Sequence, residues 1–330
     1  MEMRPADIER KVLGVLRVLA EHSEPMGARL ISHDLKSHGI DLSERTVRYH
    51  LKIMDQRGLT QCLGEPGRVI TQAGRAELQK ALVSDKLGFV ISRIDALAYG
   101  TSLDLRSGRG KIITNTSLVP ADRFTEGLEV MRRVFRGGYC MSDLVAVAKM
   151  GERIGGLQVP AGTVGVATVC SVTLNGVLLR YSIPVQSRYG GILEIRDGKP
   201  YRFTELVGYH ESTLDPAEIF IASKMTSILA ATDTGAGTVL ASLREVPSVC
   251  GADLGRVLDQ YTRRGLGGVL AVGKPGQTLL GVQVGLDRVG IVVVGGLAPI
   301  AALEEVGIPT VNKAMTGLLS LAELRSVWTL

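Results

Sequence analysis

The sequence predicts an α+β protein in which an N-terminal winged helix-turn-helix precedes an internally duplicated, two-lobe α/β domain. Residues 1–82 show helical periodicity followed by the pattern of a short hairpin. Residues 83–330 instead alternate apolar runs with glycine-rich turns, and two long stretches within them repeat. The length of 330 residues also favours several domains over one. We therefore predict two domains that meet between residues 82 and 83.

Three helices are predicted in the first domain. Apolar residues of the first helix share one face: Ile8, Val12, Val15 or Leu16, and Leu19. The second lies within "MGARLISHDLKSHGI" and ends near Gly39. The third begins at Ser43, because a serine hydroxyl caps the N-terminus of a helix, and Gly58 stops it. Three consecutive short helices are typical of a helix-turn-helix module.

The third helix carries a basic face. At about 100° per residue, Val47, Leu51 and Met54 cluster within a narrow arc, which predicts the side turned to the core. The segment "LTQCLGEPGRVITQAG" then predicts a strand, a turn at "GEPG" and a second strand, and "QAGRAELQKAL" predicts a helix. We infer a winged helix whose third helix enters the major groove of double-stranded DNA while its basic-tipped hairpin contacts phosphate.

The predicted DNA-binding residues are Arg45, Thr46, Arg48, Tyr49, Lys52 and Arg68. Two alternatives stay open at this point. A charged helix face can simply be solvated, and some winged helices bind protein instead of DNA, which would make the chain an interaction scaffold. The net charge of +5 and the pI near 9.0 permit nucleic acid binding without demonstrating it.

Composition and charge predict a cytoplasmic protein that does not span a membrane. The charged start "MEMRPADIER" has no apolar core of the kind that signal peptides need. The longest uncharged run lies between Arg153 and Arg180, and its Pro160 and glycines favour buried strands and turns over a membrane helix. The cysteines are too far apart for metal-pair spacing and are predicted to be free thiols: Cys62, Cys140, Cys170 and Cys250.

The second domain contains an internal duplication. "VGVATVCSVTLNGVLLRYSIPV" from Val164 and "VGIVVVGGLAPIAALEEVGIPT" from Val289 start 125 residues apart. Upstream, "GKIITNTSLVP" from Gly110 pairs with "GTVLASLREVP" from Gly237 at an offset of 127 residues. We therefore predict two related α/β lobes packed together. Their predicted limits are roughly residues 100–200 and 201–330.

Catalytic and metal-binding patterns are missing from this domain. Of the five histidines only His210 lies in it, which disfavours a zinc site built mainly from histidines. The sequence has no P-loop, no G-x-G-x-x-G motif opening a helix and no nucleophile elbow. We predict no catalytic residue, no metal and no enzyme activity. The alternative is a small-molecule enzyme fused to a winged-helix module.

Strand-to-helix turns predict a site for a small dianion between the lobes. "ATVCSVTLNG" and "VVVGGLAP" both run from a buried strand into a short helix, and free amides at helix starts suit carboxylates. Ser187 and Arg188 follow the first "IP" turn, and Asn312 and Lys313 hold the equivalent positions in the second repeat. The structural alternative is a set of packing glycines and surface charges. The predicted ligand-binding residues are Thr168, Ser171, Thr173, Asn175, Ser187, Arg188, Gly190, Arg244, Gly295 and Gly296.

Long segments of the chain resemble the NrpR family of nitrogen-regulatory transcriptional repressors. They include "LGFVISRIDALAYGTSLD", "MSDLVAVAKMGERIGG", "QSRYGGILEI", "STLDPAEIFIASKMTSI" and "GVQVGLDRVGIVVVGGLAPIAALEEVGIP". The resemblance implies a homodimer that binds palindromic operators of nitrogen-assimilation genes and is released by the effector 2-oxoglutarate, without a cofactor. It covers a head and one sensor domain. Because the family also includes headless subunits with two sensor domains, sensing by such a partner stays an alternative.

Overall fold

The structure, a computed structural model, describes residues 5–22, 24–80 and 87–330, with the backbone alone for residues 5–10. The chain divides into two compact units, residues 1–86 and 87–330. The predicted domain boundary between residues 82 and 83 lies outside the described residues. Helices and strands occur in both units, and the predicted α+β class is confirmed.

The first unit is a winged helix-turn-helix. Its helices are α1 (Pro5–Glu21), α2 (Ala28–Ser37), α3 (Glu44–Gln56) and α4 (Gln72–Lys80), and its strands are β1 (Thr60–Cys62) and β2 (Arg68–Ile70). The two strands pair antiparallel, and Met26 adds a short bridge to Arg68. Fully buried aliphatic side chains form the core, among them Val15, Leu16, Ile31, Leu35, Val47, Leu51 and Met54. The predicted inward face of the third helix is confirmed.

The predicted ends of the third helix, α3, are confirmed as well. Ser43 Oγ accepts the Thr46 N–H at 3.2 Å, which satisfies one of the free donors of the first turn. Gly58 has a φ of +69°, a conformation that glycine adopts without strain, and it ends the helix. The hairpin tip differs from the prediction: it carries Glu65 rather than a basic residue, and Arg68 lies at the start of β2.

The elements of the second unit confirm the duplication. Its helices are α5 (Phe89–Gly100), α6 (Phe124–Arg136), α7 (Thr173–Arg180), α8 (Pro216–Ala222), α9 (Ile228–Thr234), α10 (Gly251–Arg263) and α11 (Ala298–Glu305). Its strands are β3 (Lys111–Pro120), β4 (Leu144–Ala148), β5 (Arg153–Ile154), β6 (Leu157–Gln158), β7 (Thr163–Val169), β8 (Gln186–Arg196), β9 (Lys199–Gly208), β10 (Gly237–Pro247), β11 (Val269–Val272), β12 (Arg288–Val294), β13 (Val311–Ser320) and β14 (Arg325–Ser326). Four elements of the first repeat start 125 residues before their counterparts in the second repeat: β4 before β11, β7 before β12, α7 before α11, and β8 before β13.

Within residues 87–330 the long strands form two five-stranded antiparallel sheets. Their strand orders are β13-β3-β7-β4-β14 and β11-β12-β10-β8-β9. The repeats exchange a strand, because β8 of the first repeat pairs with β10, whereas β13 of the second repeat pairs with β3. The predicted lobe limits at residues 200 and 201 therefore do not match the sheets. An apolar strand pattern shows where a repeat recurs, but it does not show which sheet edge the strand joins.

The exchange extends to the helices and ties the repeats into one core. Helix α6 of the first repeat packs against α11 of the second. Tyr181, which directly follows α7, has its hydroxyl 3.2 Å from Gln260 Oε1 on α10. One hydrophobic core continues through both sheets as a result. None of the helices in the described parts of the chain is long and apolar enough to cross a membrane.

Candidate functional site

The basic face predicted on α3 is present in the structure. Arg45, Arg48, Tyr49 and Lys52 are exposed, and Thr46 is half-buried. Tyr49 keeps 62% of its surface accessible although it is a large aromatic residue. An exposed tyrosine among cations on the third helix of a winged fold suits contact with a base or a sugar. Contact of these side chains with DNA stays a prediction.

Two of the predicted DNA-binding cations already have carboxylate neighbours. Arg48 bonds Glu44 one turn earlier on the exposed face, a type of pair that contributes little to stability. Arg68 Nε lies 2.8 Å from Asp55 Oδ2, and Thr60 Oγ1 donates to Asp55 Oδ1 at 2.6 Å. The Arg68 and Asp55 side chains are about three-quarters buried, with 23% and 25% of their surfaces exposed. Arg68 therefore fastens the wing to α3, whereas Arg48 remains open to a phosphate or a base.

A narrow cleft lies between the two sheets of the second unit, where the repeats face each other. Its lining contains repeat-related pairs, 125 or 127 residues apart: Asn115 with Ser242, Ser171 with Gly296, and Gly190 with Met315. Tyr209 and Asp215, from the segment between β9 and α8, also line the cleft. They do not belong to the repeat-related pairs. The space open to the centres of water molecules is about 30 Å³, which holds roughly two or three waters.

The cleft brings together four of the predicted ligand-binding residues: Ser171, Gly190, Gly295 and Gly296. Arg244 stands directly behind them, since its Nη2 donates to Ser171 Oγ at 2.9 Å. A Cβ atom on Gly296 would lie 2.3 Å from the Val169 carbonyl oxygen and 2.6 Å from Asn115 Nδ2. The close approach of these chain segments, rather than amide donation alone, therefore requires glycine at this position.

The other predicted ligand-binding residues lie outside the lining. Thr168 Oγ1 donates to the Gly296 carbonyl at 2.8 Å, and Thr173 Oγ1 donates to the Ile113 carbonyl at 2.9 Å. Asn175 Nδ2 donates to Ser187 Oγ at 2.9 Å. These contacts brace the chain around the cleft. Arg188 is half-buried on β8, with its Nε 3.9 Å from Glu245 Oε1 and its guanidinium 5.5 Å from the centre of the Tyr189 ring.

Arg244 has the most unusual environment of the residues around the cleft. Only 1% of its surface is exposed, yet Nε and Nη1 have no hydrogen-bond partner among the described residues. Burial lowers the pKa of this guanidinium, because a charge loses its hydration in the interior. The side chain of Tyr261 lies close enough to act on Arg244 electrostatically, in the direction that raises its pKa. The Tyr261 hydroxyl has no hydrogen-bond partner among the described residues either. Unmatched donors on a buried cation are costly, and a carboxylate could satisfy two of them.

Asp215 and Tyr209 line the cleft although no sequence pattern predicted that they would. Asp215 Oδ1 accepts the Ala217 N–H at 2.9 Å and caps α8. Burial, followed by the nearby Glu218 carboxylate, raises the pKa of Asp215 to about 7. Burial also raises the pKa of Tyr209 above its usual range and that of Cys170 to about 12. The "LDPAEIF" pattern could have indicated the helix cap. Burial of that cap depends on tertiary packing.

An Asp215→Asn variant is expected to gain stability over the wild type as the pH rises. The folded pKa of about 7 lies above the ordinary unfolded value, so stability is highest when the carboxyl is neutral in both states and is lost as the pH rises through 7. Asparagine caps a helix equally well and cannot ionise. The difference in free energy of unfolding should grow by about 1.4 kcal/mol per pH unit between pH 5 and 7. Urea titrations at four pH values measure it, and a constant difference would contradict the prediction.

The family of the chain follows from its matches to known proteins. Residues 87–326 match the family described as NrpR regulatory domains NRD1 and 2. The chain belongs to the NrpR family. It is 37% identical to the Global nitrogen regulator NrpRI of Methanosarcina mazei, over 98% of this chain and 100% of that protein. Residues 13–78 match the family described as the Ribonuclease R winged-helix domain, in agreement with the fold of the first unit.

Other NrpR relatives are longer. The Global nitrogen regulator NrpR of Methanococcus maripaludis is 33% identical over 94% of this chain, and the Methanocaldococcus jannaschii protein of that name is 33% identical over 91%. The chain spans 54% and 52% of these two proteins. A crystal structure of a nitrogen repressor-like protein from Methanococcus jannaschii aligns with a TM-score of 0.62 at 29% identity, over 72% of this chain and 98% of that one.

Membership of the NrpR family decides between the classes of function that the sequence left open. The relatives are named as regulators and the matched domains as regulatory, so the chain is a nitrogen-regulatory repressor and not an enzyme. Within the described residues, no three His, Cys, Asp or Glu side chains are placed to hold a metal ion.

Proposed function

We propose that this NrpR chain binds palindromic operator DNA as a cytoplasmic homodimer and releases it when 2-oxoglutarate enters the cleft. The observation that carries the effector site is Arg244, a buried cation whose Nε and Nη1 have no partner among the described residues. A guanidinium can hold a carboxylate through two parallel hydrogen bonds. Ser171, which already accepts from Nη2, places these donors next to the lining of the cleft.

The size of the cleft supports a coupling between ligand and conformation. Space for roughly two or three waters is too small for a five-carbon diacid, so binding has to widen the cleft. Each sheet contains a strand from the other repeat, because β8 pairs with β10 and β13 pairs with β3. A movement that separates the two sides of the cleft therefore moves strands of both repeats. A ligand that favours the wide form over the narrow form by about 1.4 kcal/mol shifts operator affinity tenfold.

The DNA-binding part of the proposal rests on the exposed face of α3. Its cations and Tyr49 point away from the core of a fold whose third helix commonly enters the major groove. A single winged helix reads one half-site, so a palindromic operator requires two heads related by a two-fold axis. The first unit is small, and we assign the dimer contact to residues 87–330.

Removal of residues 1–86 is expected to leave a dimer. Residues 87–330 have their own continuous core and form a compact unit, so the shortened chain should fold. Light scattering over a range of concentrations measures its mass, with the full chain as the reference. A monomer at concentrations where the full chain is dimeric would place the dimer contact in the head instead.

Operator binding by the purified full chain, with and without 2-oxoglutarate, tests the proposal. Fluorescence anisotropy with a palindromic operator fragment should show tight binding that weakens at least tenfold when 2-oxoglutarate is added. Absence of operator binding under both conditions would refute the repressor mechanism. A chain that binds operator, ignores 2-oxoglutarate and shows no binding heat in calorimetry would require the second candidate mechanism. In it a headless NrpR-type partner senses the effector.

A further inference from the structure

An amide donor without a partner lies at the wall of the cleft, on Asn115 of β3. The residue is 2% exposed and lines the cleft. Its Oδ1 accepts the Met315 N–H at 3.0 Å, whereas its Nδ2 donates to none of the described residues. Because a backbone N–H can only donate, it has to meet the amide oxygen. This contact fixes which end of the amide is the donor and leaves Nδ2 for a ligand.

The backbone of Met315 holds the Asn115 amide in this orientation. Met315 lies in the bulge of β13, between Lys313 and Gly317, with a φ of +52°. A residue with a Cβ keeps this costly conformation only where its surroundings fix it, and such positions cluster at functional sites. Arg93 Nε donates to the Met315 carbonyl at 3.0 Å. The strained peptide is therefore clamped between Arg93 and Asn115.

The arrangement exists on one side of the cleft only. The repeat equivalent of Asn115 is Ser242, 127 residues later, and that of Met315 is Gly190, whose backbone is not left-handed. Ser242 Oγ donates to the Val293 carbonyl at 3.4 Å, and a hydroxyl can donate or accept. The duplicated fold therefore does not itself require a fixed donor at this position.

The donors of Asn115 and Arg244 flank adjacent residues of the chain. A Cβ on Gly296 would lie 2.6 Å from Asn115 Nδ2 and 2.9 Å from Cys170 Cα, so Nδ2 lies beside residue 170. The next residue, Ser171, accepts from Arg244 Nη2 at 2.9 Å. Consecutive Cα atoms are about 3.8 Å apart. This spacing suits a 2-oxo acid, which has its carboxylate and its ketone oxygen on adjacent carbons.

We propose that Asn115 Nδ2 donates to the ketone oxygen of 2-oxoglutarate and selects it over glutamate, which has an ammonium group on the same carbon. This proposal rests on the effector site described above, with one carboxylate on Arg244. An ammonium group only donates, so in glutamate it would face the Asn115 N–H without an acceptor between them. A site with a fixed donor rejects such an analogue because buried donors stay unpaired.

Calorimetry of the full chain with 2-oxoglutarate and glutarate tests the contact. Glutarate is the same diacid without the ketone oxygen. The wild type should prefer 2-oxoglutarate about tenfold, and Asn115→Ala should lose this preference. The ratio of the two affinities separates a ligand contact from a structural loss, since a distorted cleft weakens the binding of both diacids.

Asn115→Asp tests the selection against glutamate. This variant keeps an oxygen for the Met315 N–H and replaces the donor by an acceptor, so its preference for 2-oxoglutarate over glutamate should fall at least tenfold relative to the wild type. It also retains the brace that Asn115→Ala removes. The matched control is Thr114→Val, a substitution of similar shape at the preceding residue of β3. Side chains alternate along a strand and Thr114 does not line the cleft, so both preferences should persist.

Several results would overturn the proposal and leave the effector site standing. One is equal affinity of the wild type for 2-oxoglutarate and glutarate. Another is binding of glutamate as tight as that of 2-oxoglutarate, with its ammonium group on the Asp215 carboxyl of the lining. Preferences that are unchanged in both Asn115 variants, or lost equally in Thr114→Val, would also overturn it. Wild-type protein that binds none of the three ligands would instead refute the effector site itself.

Discussion

Replacement of Arg45 and Arg48 together by alanine is expected to weaken specific operator binding by about 100-fold or more. Both side chains are exposed on α3, and an arginine that reads a guanine contributes about 1–3 kcal/mol of specific binding. The Glu44 carboxylate beside Arg48 changes little, since exposed pairs of this kind are weak. The variant should fold normally because neither residue belongs to the core formed by Val47, Leu51 and Met54.

Fluorescence anisotropy at two salt concentrations separates base reading from charge attraction. Loss of a phosphate contact alone weakens binding to all sequences and lowers the salt dependence, whereas loss of a base contact removes discrimination against non-operator DNA. Arg75→Ala, an exposed cation on α4, is the matched control and should keep full discrimination. A double variant that binds operator like the wild type would show that α3 is not the recognition helix.

The head could be predicted from sequence because its signals are local. Ser43, Gly58 and the apolar arc of α3 each depend on residues within one or two turns of the helix. The role of Arg68 could not be predicted in this way. An exposed-looking cation on a predicted wing suggests phosphate, but its partner Asp55 lies 13 residues away on another element. A sequence pattern does not show such a contact.

The second unit shows the same difference between local and non-local information. The duplication revealed that Ser171 and Gly296 are related, and the fold places both in one cleft. Thr173 and Asn175 were also predicted to bind ligand, but they point to a backbone carbonyl and to Ser187 instead. The direction of a side chain from a short buried helix depends on its neighbours across the core. Asp215 was missed for the same reason, since its pKa comes from burial.

Replacement of Arg244 by glutamine is expected to abolish the response to 2-oxoglutarate and to leave operator binding intact. The loss of a buried cation that pairs with a ligand carboxylate costs about 2–5 kcal/mol of binding, which lowers the affinity at least 30-fold. Arg188→Gln is the matched control. This second arginine was also predicted to bind the ligand, but it is half-buried beside Glu245, outside the lining of the cleft, and should respond like the wild type.

The stability of the Arg244→Gln variant distinguishes a functional cation from a structural one. An arginine that holds the fold together has its donors paired, and its loss destabilises the protein strongly. Arg244 has one bond, to Ser171, and Nε and Nη1 without partners among the described residues, so a neutral glutamine should give a free energy of unfolding equal to or higher than that of the wild type. Urea titration and calorimetry with 2-oxoglutarate on the same preparation measure both quantities. If the variant is destabilised and still releases operator when 2-oxoglutarate is added, Arg244 is structural and the effector binds at another site. A variant that gains stability and loses the response would show that the chain keeps a costly buried charge because the ligand uses it.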